Sequence, residues 1–393
     1  MISEAEALAA VLAKITPRPA ESRLLLDSLG KFSAEEIFAT RPLPAFDNSA
    51  MDGYAVHSVS ARLGARLRVI GEQPAGPDRG LTIAAGEAIR IFTGAPVPRG
   101  ADAVIMQEEI TRDGDWITTQ AATEPGDFVR RRGADLAEGQ KILGRGEEIR
   151  SVTLSLLASQ GRAEILVGGT PRVAIISTGD ELARPGETPQ PGQIFESNAV
   201  LLQALALGAG AQVVMVEHAP DDLAQLTEIF RRGLDADALL VSGGVSVGDH
   251  DLVKPALRAL GAEIDLWRVA IKPGKPFLFG RAGECRVFGL PGNPVSAFVT
   301  FLRFVRPALR QMAGADPAAL GLRQVPARLA EEVVNPGERP HYFRGILRGD
   351  LFTLAGRQES HALFGLSRAN ALLRLAAGAI LAKNTPVSVE LWD

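Results

Sequence analysis

"ALLVSGGVSVGDHD", residues 238–251, is the stretch on which the reading of this chain turns. Residues 238–241 are a short apolar run of strand length, and the loop after them carries Gly243, Gly244 and Gly248 before ending in Asp249 and Asp251. Glycines let a backbone turn sharply and approach a ligand closely, whereas two neighbouring carboxylates repel unless a cation or a proton separates them. A buried strand that runs into such a loop points to a bound ligand.

Outward from this stretch the same texture repeats. From residue 171 onward strand and helix patterns alternate: "RVAII", a helix over 198–207, "AQVVMV", a helix over 221–232, "ALLV", a helix over 252–260, "EIDLWRVAI", "RVFGL", and a long helix over 294–312. That order predicts a doubly wound, mostly parallel α/β domain. Upstream, Ser3 and Glu6 form a capping-box pattern ahead of Leu8, Val11, Leu12 and Ile15, so the chain opens with an amphipathic helix. Short alternating runs such as "RLRVI" and "AIRIF", split by Pro and Gly, predict a β-rich module, and "SVTLSLLASQG" a helix with a glycine stop. The expected domains are an N-terminal helical and linking domain (1–41 and 138–168), the β-rich module (42–137), the α/β domain (169–314) and a small all-β C-terminal domain (315–393).

Composition sets the bounds. The 393 residues suffice for several domains, and 42 basic against 46 acidic side chains leave no excess charge for coating nucleic acid or a membrane surface. No apolar stretch has the length of a membrane span, and the single cysteine, Cys285, rules out an intramolecular disulfide. The first residues, "MISEAEALAAVLAKI", lack the order of a signal peptide, so a cytoplasmic location is expected.

In an open α/β sheet ligands bind outside the carboxyl ends of the strands, so the loops after the strands matter most. "STGDEL" (177–182) brings Ser177, Gly179, Asp180 and Glu181; "SGGVSVGDHD" (242–251) brings Ser242, Gly243, Gly244, Ser246, Gly248, Asp249 and Asp251; "KPGKP" (272–276) brings Lys272 and Lys275; and "GLPGNP" (289–294) brings Pro291, Gly292, Asn293 and Pro294. Carboxylates on oxygen-rich loops are the ligand set of Mg²⁺, here Glu181, Asp249 and Asp251, while lysines and helix N-termini partner phosphate-like anions. No Walker A and no spaced G-x-G-x-x-G pattern occurs. Taken singly each loop has a plain reading: Asn293 before Pro294 is a good N-cap and N1 pair, and the lysines could be solvated surface charges. His218, His341 and His361 have no metal-ligand spacing and read as structural or surface residues.

With these residues in view, the chain resembles the molybdopterin molybdenumtransferases, a family that includes the E domain of gephyrin. The likeness rests on "PAFDNSAMDGYAV" (44–56), "IFTGAPVPRGADAV" (91–104), "STGDEL", "SGGVSVGDHD", "IKPGKP" and "GLPGNPVSA" (289–297), in the family's order and over nearly the whole chain. The resemblance implies insertion of molybdate into adenylylated molybdopterin with Mg²⁺ present, releasing AMP and forming molybdenum cofactor. It places Asp52, Thr93, Asp135, Glu181, Asp251, Lys272, Lys275, Pro291 and Pro294 on functional positions, with looser matches at Ser360 and Ser367. Arg268 stands where lysine is expected, which exchanges a point donor for a planar fork, and Asp221 is a candidate for an acid expected before the helix. The family's shape implies a homodimer in which the α/β domain of one subunit faces the β-rich module of the other. Candidate protein partners are the molybdopterin adenylyltransferase and acceptor molybdoenzymes. Two alternatives use the same residues: a pterin-binding carrier or scaffold, and a nucleotide-dependent transferase of another class.

Asparagine caps a helix about as well as aspartate but lacks the charge that holds a hard cation. Asp251→Asn is therefore expected to slow Mg²⁺-dependent AMP release about 30- to 1,000-fold while melting as wild type. AMP release against magnesium concentration, alongside thermal melting, checks this; wild-type turnover at every magnesium level removes Asp251 from the metal site.

Overall fold

The apolar run at 238–241 lies inside a six-stranded sheet, with its side chains buried to both faces. In the computed structural model, which describes residues 1–244 and 252–392, the chain falls into two units. The larger comprises Met1–Glu35, Gly144–Leu154 and Ala163–Asp393, the smaller Glu36–Leu143 and Ser155–Arg162.

The larger unit opens with α1 (Glu4–Leu12). Its capping box is complete: the Glu6 amide donates to Ser3 Oγ at 3.2 Å and the Ser3 amide to the Glu6 carboxylate at 2.8 Å, satisfying two N–H groups that a helix start leaves without partners. The sheet follows as β1 (Arg172–Thr178), α2 (Asn198–Gly208), β2 (Gln212–Ala219), α3 (Leu223–Gly233), β3 (Ala238–Ser242), α4 (Val253–Ala259), β4 (Glu263–Trp267), β5 (Leu278–Ala282) and β6 (Cys285–Leu290). Strand order is β2-β1-β3-β6-β5-β4. The first four are parallel, whereas β5 runs antiparallel to both β6 and β4. Every strand except β5 therefore ends on the same edge. Because side chains alternate across a strand, Val173, Ile175 and Leu240 pack with α1, α2 and the long helix after β6, while Ala174, Ile176, Leu239 and Val241 pack with α3 and α4.

Two features depart from the pattern read in the sequence. "FLFGR" contributes β5, an extra strand folded back on β6 by the turn at Gly283 and Glu284. Gly280 lets β4 approach it, since a methyl group there would sit 2.3 Å from the Glu263 carbonyl oxygen. The long helix is α5 (Pro294–Thr300), a π-helical stretch (Phe301–Val305) and α6 (Arg306–Met312) rather than one uniform helix. Pro307 has no N–H to give the preceding turn, which is where a helix widens.

The chain then closes a five-stranded barrel from Arg323–Leu329, Leu351–Leu354, His341–Arg348, Ala371–Leu375 and Pro386–Leu391, filled by Leu329, Phe352, Leu373 and Val389; the short helix α7 (Leu363–Arg368) interrupts it. The smaller unit is built on a six-stranded sheet, ordered Ala103–Met106, Gly53–Val56, Glu87–Ile91, Arg66–Gln73, Trp116–Thr119, Ile110–Asp113. Tyr54, Leu67, Ile105 and Ile117 fill one face of it, Ile91 and Val104 the other. Among the described residues no helix is long and apolar enough to cross a membrane.

A buried charge network joins three parts of the larger unit. Arg303, in the π-helical stretch, donates from Nε to Glu4 of α1 at 2.6 Å and from Nη1 to Glu390 of the last barrel strand at 2.8 and 2.9 Å. Tyr342 Oη also donates to Glu4, and Arg374 Nε reaches its other oxygen at 3.1 Å. Burial pushes the Tyr342 phenol above its usual range against the pull of Arg303, so it remains a donor. Removing one member of a buried ion pair strands its partner in a poorly solvated place. Arg303→Met is expected to cost about 3 kcal/mol, read as a lowered urea midpoint; an unchanged midpoint makes the network decorative.

Candidate functional site

At the carboxyl edge of β1, β3 and β6 the larger unit opens a cleft of about 660 Å³. Gly179 and Glu181 line it from the loop after β1, Ser242, Gly243 and Gly244 from the end of β3 and the loop beyond, and Pro291, Gly292, Asn293 and Pro294 from the loop that starts α5. Pro276, at the end of the lysine loop after β4, completes this side. Gly243 needs to be glycine twice over: its φ is 95°, and a methyl group there would meet the Thr178 carbonyl oxygen at 2.7 Å.

The floor is polar. Asn198, the first residue of α2, donates from Nδ2 to Ser242 Oγ at 2.9 Å and to the Gly292 carbonyl at 2.7 Å, so one amide holds the loops after β3 and β6 together. One oxygen of Glu196 accepts from the Asn198 and Ala199 amides at 2.8 and 3.1 Å, capping α2 with a negative charge where the helix dipole favours it. Glu196 Oε2, Asn198 Oδ1 and Ser177 Oγ are buried with no hydrogen-bond partner among the described residues.

The walls carry charge. Glu181 is exposed, its carboxylate folded over Gly179, where a methyl group would lie 2.2 Å from Oε2. Nε2 of half-buried His218 lies 2.8 Å from the Gly179 carbonyl, which can only accept, so that nitrogen carries the proton. The Asp180 carboxylate accepts from the Asp221 amide at 3.1 Å, and Asp221 itself lines the cleft. Asn293 Nδ2 donates to Ser360 Oγ at 3.0 Å, and His361 beside it lines the cleft from the barrel side. Ser367 lies on α7 outside the lining, its hydroxyl donating to the Phe364 carbonyl at 2.8 Å.

Lys272 and Lys275 are exposed on a loop pinned to the barrel: the Lys272 amide donates to the Pro340 carbonyl and its carbonyl accepts from the Tyr342 amide, both at 2.8 Å, while Arg339 Nη1 holds the Ile271 carbonyl. Arg268 enters this loop with φ 82°, an uncommon conformation for a residue with a Cβ.

Asp52, Thr93 and Asp135 belong to the smaller unit. There the Thr93 amide and hydroxyl both donate to Asp52 Oδ1 at 2.8 Å and hold its carboxyl below the usual range. Asp47, five residues before Asp52, accepts from the Arg132 amide at 2.7 Å and pairs with Arg131 at 2.8 Å, and these donors likewise lower it. Asp135 is exposed in the turn after Gly133. Ser246, Gly248, Asp249 and Asp251 lie outside the described residues. Among the described residues no three His, Cys, Asp or Glu side chains are grouped to hold a metal ion.

Sequence reasoning passed over Glu196, Asn198 and Thr178. The only local signal was "FESNA", an acid and an amide just before a helix, which reads as an ordinary cap until β3 and β6 are seen beside it. Buried Cys285, whose thiol burial pushes up to about 12, is no nucleophile.

Residues 2–161 match the family model "MoeA N-terminal region (domain I and II)", residues 174–311 "Probable molybdopterin binding domain", and residues 326–392 "MoeA C-terminal region (domain IV)". The chain is 38% identical over 383 residues to molybdopterin molybdenumtransferase 2 of Mycobacterium tuberculosis, covering 94% of each. It is 36% identical over 365 residues to the molybdopterin molybdenumtransferase of Nostoc sp., covering 89% of this chain and 83% of that one. Among solved structures it resembles the molybdopterin biosynthesis MoeA protein of Pyrococcus horikoshii OT3, with a TM-score of 0.85 and 28% identity across 100% of both chains.

His341 pairs in parallel with Lys272 and lies against Phe343, ring centroids 3.9 Å apart. Burial, and then Lys272, Arg344 and Arg339, push its imidazole from 6.5 down to about 4. The folded state therefore binds fewer protons than the unfolded chain in that window, and the neutral ring's contribution fades as pH falls from about 6.5 toward 4. His341→Phe is expected to remove up to about 3 kcal/mol of that acid sensitivity, measured by urea unfolding at pH 7 and pH 4.5; equal slopes in both proteins refute it.

Proposed function

This chain belongs to the MoeA family of molybdopterin molybdenumtransferases, and on that premise we propose that it inserts molybdate into the dithiolene of adenylylated molybdopterin, with Mg²⁺ present and AMP released. The observation that carries this reading is the cleft at the sheet's carboxyl edge, lined by the segment that matches the molybdopterin-binding model except for His361 and Leu363 on the barrel side. It sets glycine backbone, carboxylates and a polar floor around one space.

Each part has a physical task. Gly243, Gly244 and Gly292 let a pyrophosphate come close to the main chain, and Asn198 keeps their two loops at a fixed separation. Lys272 and Lys275 attract the oxyanions, molybdate and phosphate, from a loop whose backbone the barrel holds still. Glu181 and Asp221 are the described carboxylates that suit a hard cation, and Mg²⁺ held by them would neutralise charge on the phosphoanhydride. Asp249 and Asp251 belong to the same reading on the strength of the family motif.

The reading includes a homodimer, in which the Asp52–Thr93 pair serves the cleft of a second copy, and a cytoplasmic location. Light scattering tests the first: a fully active monomer at micromolar concentration removes the shared cleft. The activity itself is tested by AMP release from adenylylated molybdopterin with and without molybdate.

A charge-assisted contact to an anion contributes about 1.5 to 3 kcal/mol. Lys272→Ala is therefore expected to raise the molybdate concentration for half-maximal turnover about 10- to 100-fold while melting as wild type. Wild-type molybdate dependence leaves Lys272 a surface charge.

A further inference from the structure

Two properties of the cleft floor have no explanation in the fold alone. Glu196 Oε2 and Asn198 Oδ1 are hydrogen-bond acceptors on side chains each 7% exposed, and neither has a partner among the described residues, although the other half of each group is fully used. Burying an acceptor without a donor is costly, and natural cores rarely tolerate two only two residues apart. Both side chains line the cleft. Beyond Glu196 the cleft passes into an apolar groove of about 650 Å³, walled by Phe195, Val200, Leu201 and Leu363. Phe195 and Val200 remain 50% and 57% exposed, so this groove is an apolar surface that ends at the Glu196 side chain.

Building on the reading of the protein as a molybdopterin molybdenumtransferase, we propose that Glu196 and Asn198 recognise the aminopyrimidinone edge of the pterin, whose ring lies against Phe195, Val200 and Leu363. The chemistry selects that edge. A pterin presents its 2-amino group beside the ring N3–H, two donors for the two acceptors that this short segment leaves open. Adenine offers its exocyclic amine next to ring nitrogens that accept, and one of these would face an acceptor on the protein. The glycine end of the cleft, with backbone amides and the lysine loop nearby, is left for the phosphates. The acid at the start of α2 repels a phosphate from that end, so the substrate has one orientation.

The test uses the full-length protein and two separate probes, 6-hydroxymethylpterin followed by fluorescence and AMP followed by calorimetry. Glu196→Gln keeps a carbonyl to cap α2 and replaces Oε2 by a donor. It is expected to weaken the pterin about 10- to 100-fold, leave AMP within about twofold, and melt as wild type. Val200→Glu, on the exposed groove wall, places a charge against the ring without touching the cap and is expected to weaken the pterin likewise. Wild-type pterin affinity in both variants overturns the assignment, and so does a loss confined to AMP, which would give this end to adenine. Wild-type protein that binds no pterin overturns the functional reading itself, and with it this inference.

Discussion

The guanidinium of Arg303 is the tie on which the larger unit depends. It holds Glu4 of the first helix and Glu390 of the last barrel strand at once, from the π-helical stretch of the long helix between them. Tyr342 shares Glu4, and the Tyr342 amide in turn grips the Lys272 carbonyl. One buried charge set thus runs from α1 and the last barrel strand to the loop that carries Lys272 and Lys275. Ion pairs in a poorly solvated place are geometrically demanding, and the barrel strand they engage is the one whose Tyr342 amide, with the Pro340 carbonyl just before it, holds the lysine loop.

The cleft is organised by a division of polarity. Its glycine side offers main chain left open by the described residues, the surface a phosphate wants; its α2 side offers a carboxylate, an amide oxygen and apolar walls, the surface a heterocycle with N–H donors wants. Asn198 belongs to both sides, since its Nδ2 fastens the glycine loops while its Oδ1 stays unpartnered. A single substitution there would disturb shape and recognition together, which is why Glu196, with its two functions on two oxygens, separates them better.

Much of this was legible in the residues. The alternation of apolar runs with helical patterns after residue 171 implied a wound sheet, and the sheet's carboxyl edge is where such proteins bind ligands, so the loops at 177–182, 242–251, 272–276 and 289–294 could be assigned to one edge from the residues alone; of these the cleft is lined by parts of 177–182 and 289–294, by 242–244 and by Pro276. The family likeness added Asp52 and Thr93, and the hydrogen bonds between them give that pair a local reason to exist. By contrast β5 was missed because only a two-residue turn separates it from β6 and "FLFGR" carries the same apolar texture, and the π-helical stretch because helical periodicity survives one widened turn.

What the sequence determined by itself is the set of short-range properties: which runs are apolar on both faces, where glycine must stand because a backbone turns, and which loops carry acids or lysines. What only the tertiary structure decided is which groups are left without partners. Whether Glu196 and Asn198 are plain caps or half-used acceptors depends on β3 and β6 arriving beside them, 44 and 94 residues further along for Asn198's two bonds. Burial and hydrogen-bond saturation are sums over neighbours distant in the chain, and no local pattern contains them.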